Sequence, residues 1–133
     1  MKGLKTTFGS PLFKNNVAKS DDDVVAQIKK ASAVIFGKTN VPEHGFGATT
    51  TNPLQGSTGN PFDKSLSAGA STGGGAAAVA SGIVPLATGS DFAGSLRTPA
   101  SFCGIAGMRP SNGVVGTNTV SYTHLTLPTK WWV

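Results

Sequence analysis

Two serines set among glycines are the residues of this chain with the clearest capacity for chemistry. Ser71 lies in Gly69-Ala70-Ser71-Thr72-Gly73-Gly74-Gly75, and Ser95 lies in Asp91-Phe92-Ala93-Gly94-Ser95-Leu96-Arg97-Thr98-Pro99. A serine hydroxyl is a weak nucleophile until a base takes its proton and donors hold the oxyanion that forms on attack at a carbonyl. The second need is met if the turn from Asp91 to Ser95 is tight. An Ala-Gly pair permits that, and the backbone N–H groups of Phe92, Ala93, Gly94 and Ser95 can then converge on one point. Ser71 stands at the entrance to a helix N-terminus, where positive backbone potential accumulates. Glycine at this density weakens helix and strand interiors and is retained where backbone bends sharply or approaches a ligand. The stretch from Gly69 to Pro99 therefore reads as a site.

Three other readings of the glycine run compete. A phosphate loop would need Gly-Lys-Ser/Thr after it, whereas the first basic residue downstream is Arg97. Gly73-Gly74-Gly75-Ala76-Ala77-Ala78 fits a loose dinucleotide pattern but has no strand directly before it and no well-placed acid. Gly69-Ala70-Ser71-Thr72-Gly73 matches a nucleophile elbow, which needs an apolar strand before Ser71 and a histidine well after it. Residues 61–68 are no such strand, and His124 is the only downstream histidine.

The elements that must position the serines follow from local pattern. Ser20-Asp21-Asp22-Asp23 offers an N-cap and first-turn acids, and Val24, Val25, Ile28 and Ala31 then recur at helical spacing up to Lys29-Lys30, which predicts a helix. Ala33-Val34-Ile35-Phe36, closed by Gly37, predicts a buried strand. Residues 38–67 carry three prolines and no sustained period, so a long ordered loop is expected there. Ala76–Ser81 predicts a helix buried on all sides and stopped by Gly82, residues 84–88 a second buried strand, 99–102 a helical turn, and 104–110 a strand and turn. Helices alternating with buried strands give an α/β class.

Composition narrows the function classes. The 133 residues hold 18 glycines and only 13% charged side chains, with a mean hydropathy of +0.00. That resembles the tightly turned interior of a larger enzyme, and a fragment is expected. The formal charge of +5 is spread along the chain without aromatic interleaving, which argues against direct nucleic-acid binding. The single cysteine, Cys103, forms no internal disulfide and no metal cluster with His44 and His124, so a reducing, cytoplasmic setting without metal is the default. No segment has the length of a membrane span or the core of a signal peptide.

Read in order, Gly37-Lys38-Thr39-Asn40, Pro42-Glu43, Asn60-Pro61-Phe62-Asp63, the glycine-serine run, Val84-Pro85-Leu86-Ala87, Ser90-Asp91, Gly94-Ser95-Leu96-Arg97, Pro99-Ala100-Ser101-Phe102-Cys103-Gly104 and Arg109-Pro110-Ser111 resemble the amidase signature enzymes. The resemblance covers roughly residues 2–116. It implies part of a fold in which a mixed β-sheet core is flanked by helices, here incomplete. It also implies hydrolysis of a small-molecule amide by a Ser–cis-Ser–Lys triad without metal or organic cofactor. By motif, Ser95 is the acyl nucleophile and Ser71 the bridging serine after a cis peptide bond. Phe92, Ala93, Gly94 and Ser95 form the oxyanion hole, with Asp91, Arg97 and Thr72 in support. Thr72, Phe92 and Ala93 depart from the usual serine, threonine and glycine, and the bulk of Phe92 bears on which acyl groups fit.

The family lysine belongs to a Lys-Asp motif preceding the segment matched by Lys2-Gly3-Leu4-Lys5-Thr6-Thr7, so the resemblance places it before Met1 and this chain alone is expected to be inactive. Lys2, Lys5 and Lys38 do not take its place. The stretch from Val120 to Thr129 resembles, in all ten residues, one reading frame of a transposase adapter used in sequencing libraries. The expected organisation is thus a partial amidase domain over 1–119 and a non-native tail over 120–133. Two alternatives accompany the amidase reading: a non-catalytic remnant or interaction subunit with the same fold, and the A-type subunit of a glutamine-dependent tRNA amidotransferase.

Overall fold

The computed structural model describes residues 1–111 and 113–115, so the proposed boundary at residue 119 and the tail beyond it lie outside the described residues. The first α-helix is the predicted one. α1 spans Asp23–Lys30 with Asp22 as its N-cap, whose carboxylate accepts from the Val24 N–H at 3.2 Å. Asp23 in the first turn and Lys29 and Lys30 in the last complement the helix dipole. Asp21 ties the helix to the start of the chain, accepting from Lys29 Nζ and from the Lys2 N–H, each at 2.7 Å.

The long loop is ordered by asparagine side chains. Within it β1 (Thr51–Asn52) and β2 (Gly56–Ser57) pair antiparallel, Thr51 opposite Ser57. Asn52 accepts from the N–H groups of Leu54 and Gln55 and donates to Asn40 Oδ1 at 2.6 Å and the Val41 carbonyl at 2.7 Å. Asn40 in turn donates to the Gly56 carbonyl and the Thr58 hydroxyl, each at 3.1 Å. Asn60 reaches the Phe102 carbonyl at 2.7 Å. Backbone groups without a helix or sheet ladder need such partners, and supplying them pins the loop over the glycine run.

α2 (Gly73–Ala80) and α3 (Arg97–Phe102) pack together around a small core of Ala68, Ala76 and Cys103, with Ala77, Ala80 and Ile105 against it. α2 begins inside the glycine run, earlier than the alanines suggest. Its first turn is buried while Ala77–Ala80 are half-buried, so the helix is not enclosed on all sides. Pro99 sits in the first turn of α3, where its missing N–H costs no hydrogen bond. The Thr50 hydroxyl bridges the start of α2, donating to the Gly69 carbonyl at 2.8 Å and accepting from the Gly73 N–H at 3.1 Å.

The three expected strands are absent. Residues 33–36, 84–88 and 104–110 carry no ladder among the described residues. Val34, Phe36, Leu86 and Met108 are 91%, 79%, 79% and 78% exposed. β-branched and aromatic runs favour a pleated, half-buried surface, and a strand exists only when another strand pairs with it. Residues 85–87 and 105–108 instead line an apolar cavity of about 280 Å³ beside α2 and α3.

Candidate active site

The two serine segments meet through the backbone. Thr72, the residue after Ser71, donates its N–H to the Ser95 carbonyl at 3.0 Å. Ser71 is 6% exposed and follows a cis peptide bond from Ala70, whereas Ser95 is half-buried. Thr72 fastens the same junction from its side chain, its hydroxyl 3.5 Å from the Ser90 carbonyl. A buried hydroxyl thus sits one residue from a hydrogen bond to the residue that carries the other.

Asp91 organises the turn. Its side chain is 2% exposed. One oxygen accepts from the Gly94 N–H at 2.9 Å and from the Arg97 guanidinium at 3.0 Å. The other accepts from the Leu96 N–H at 3.2 Å, the Arg97 N–H at 3.1 Å and Arg97 Nε at 3.0 Å. Gly94 has φ +107°, a left-handed conformation that any Cβ would oppose, and an added Cβ would lie 2.9 Å from the Thr98 hydroxyl. Of the four N–H groups expected to converge, that of Gly94 is therefore committed to the Asp91 carboxylate. Asp91 and Arg97 hold the turn's shape.

Burial alone would raise the Asp91 carboxyl, but the Arg97 guanidinium and the N–H groups of Arg97, Gly94 and Leu96 outweigh it and hold it well below the usual carboxylate range. A carboxyl depressed in the folded state stabilises the fold fully above its unfolded value of about 3.9, and that contribution fades as pH falls through the folded value. Asp91→Asn is therefore expected to lower the urea midpoint at pH 7, with the gap to the parent protein closing as the pH is taken below about 4.

Arg109 reaches the turn from the segment after α3. Its Nε donates to the Asp91 main-chain carbonyl at 2.9 Å and lies 3.7 Å from an Asp91 carboxylate oxygen. Thr50 and Arg109 both act across long stretches of chain, and local pattern carries no signal for such contacts. Lys38 braces a loop: Nζ donates to the Lys5 carbonyl and the Thr6 hydroxyl, each at 2.9 Å, and desolvation lowers its ammonium pKa. Among the described residues, the hydrogen bonds of the lysine side chains go to Asp21, Lys5 and Thr6, and not to Ser71. Cys103 is fully buried with its thiol 3.7 Å from the Ala68 carbonyl, and burial raises its pKa, as suits a small core side chain.

Comparison with known proteins aligns residues 1–128 with the family described as Amidase. The indoleacetamide hydrolase of Pseudomonas syringae pv. syringae is 48% identical over 117 residues, which is 88% of this chain and 26% of that protein. The A subunit of the glutamyl-tRNA(Gln) amidotransferase of Methanospirillum hungatei is 49% identical over 114 residues, 86% of this chain and 26% of that one. Among solved structures, the crystal structure of the A subunit of glutamyl-tRNA(Gln) amidotransferase from Thermotoga maritima superposes with a TM-score of 0.83 at 40% identity, over 87% of this chain and 26% of that one. The chain spans about a quarter of the length of these relatives. Over that part it shares their fold. No helix among the described residues is long and apolar enough to cross a membrane.

Proposed function

This chain belongs to the amidase family, and on that footing we propose that the protein containing it hydrolyses the C–N bond of a small carboxamide through an acyl-enzyme on Ser95. The observation that carries the reading is the Thr72 N–H to Ser95 carbonyl bond at 3.0 Å, which joins the segment of a buried serine to that of a half-buried one on a turn built by a buried carboxylate. The relatives' names add the substrate class, since indoleacetamide is a carboxamide.

The steps assign a role to each group. Ser95 Oγ attacks the amide carbon as its proton passes to Ser71 Oγ, and Ser71's own proton passes to a neutral amine, the family lysine from a segment outside this chain. Main-chain N–H groups of the turn residues Phe92, Ala93 and Ser95 hold the negative oxygen, and Gly94 contributes by letting the chain turn. The C–N bond breaks as the relay returns a proton to the leaving nitrogen. Water then attacks the Ser95 ester by the same relay and releases the acid. Asp91, Arg97 and Thr72 keep the two segments in register. Phe92 flanks the site and bears on acyl size.

A second reading is favoured by the amidotransferase relatives: ammonia freed at Ser95 from glutamine passes to a partner that holds an activated tRNA. Release of ammonia by the complete gene product separates the two. The amidase reading expects turnover of indoleacetamide-like amides without partners, with Ser95→Ala inactive. The amidotransferase reading expects glutamine to be the donor and partner subunits to be required.

A further inference from the structure

We propose that Arg109 is a positioning residue for the oxyanion-binding turn, acting through the peptide group that joins Asp91 to Phe92. The proposal rests on the reading that Ser95 is acylated. Arg109 Nε donates to the Asp91 main-chain carbonyl at 2.9 Å. That carbonyl and the Phe92 N–H are the two ends of one planar unit, so a guanidinium holding the oxygen fixes the direction in which the N–H points. A charged donor on the oxygen also polarises the unit and makes its N–H a stronger donor.

The electrostatics agree. Asp91, Arg97 and Arg109 form a cluster of net charge +1, with Arg109 Nε 3.7 Å from the Asp91 carboxylate. Asp91 already takes five hydrogen bonds from the turn and from Arg97. Its carboxylate is therefore ordered without Arg109, whose side chain is 38% exposed. What Arg109 adds is a grip on the peptide plane and a second positive charge at the Asp91 turn. Both act on the transition state more than on the bound substrate.

The test uses protein expressed from the complete coding sequence, with kcat counted per site titratable by a fluorophosphonate, so that only folded, acylatable enzyme enters the rate. Arg109→Met is expected to lower kcat about tenfold while KM stays within about twofold, and Arg109→Lys to recover at least half of the logarithmic loss. If Arg109→Met does not fold, Arg109→Gln takes its place with an expected loss of about threefold. A folded neutral variant whose kcat lies within about twofold of the parent overturns the proposal. A loss that Arg109→Lys leaves unrepaired, or one carried by KM, does so equally. Ser95→Ala, run alongside, tells the two failures apart. If it is inactive while the neutral Arg109 variants turn over like the parent, this inference alone falls; if it retains amide hydrolysis, the acyl-enzyme reading falls and this inference with it.

Discussion

In protein expressed from the complete coding sequence, Ser95→Ala is expected to lower kcat for amide hydrolysis by about four orders of magnitude or more. The substitution removes one hydroxyl and nothing that shapes the site. The Ser95 carbonyl still accepts from Thr72, and the Asp91 carboxylate still holds Gly94, Leu96 and Arg97. Stability should shift by no more than about 0.5 kcal/mol, because the side chain is half-buried and the turn is held by main-chain groups and Asp91. Substrate affinity should be nearly unchanged, so the loss falls on kcat and not on KM. Ammonia release in a coupled assay, with a melting curve on the same sample, reads both quantities.

The second large effect is on stability. Gly74 lies in the first turn of α2, and a Cβ there would stand 2.5 Å from both the backbone N and the backbone O of Asn40. Neither can swing aside, because Asn40 is tied through its side chain to Gly56, Thr58 and Asn52. Gly74→Ala must therefore push α2 away from the asparagine-stitched loop, with an expected cost of about 3 kcal/mol or more despite alanine's better helix propensity. Gly37→Ala is the contrast, since nothing lies within 4 Å of its Cβ position and its backbone is not left-handed. It should be neutral, or stabilise by up to about 1 kcal/mol through the unfolded chain. Urea midpoints of the two variants against the parent decide the matter.

These cases also show where the sequence was legible. α1 could be read because its cap, its acids and its terminal lysines are all local, and within the Ser20–Asp23 run the structure puts the cap at Asp22. α3 followed from the tolerance of a helix for Pro99 in its first turn. The strands at 33–36, 84–88 and 104–110 failed for a physical reason. Their apolar patterns describe what such segments do when paired, and the described residues provide no neighbouring strand. At the site, the serines and the Asp91 turn were marked by glycine and motif order. The contacts that bind them together were not. Thr50, Asn40 and Arg109 act across long separations in sequence, and nothing in the residues near them announces a partner. The Gly94 N–H, expected among the oxyanion donors, donates to the Asp91 carboxylate, a partner that the glycine pattern does not announce.

The central claim is that the Ser95 hydroxyl oxygen takes the acyl group, with Ser71 behind it. It is tested most directly by treating the complete gene product with a fluorophosphonate and locating the adduct by mass spectrometry of its peptides. The expected result is one phosphonyl group per chain, on the peptide that carries Ser95, and none in Ser95→Ala. An adduct on any other residue, or undiminished labelling of Ser95→Ala, would contradict it.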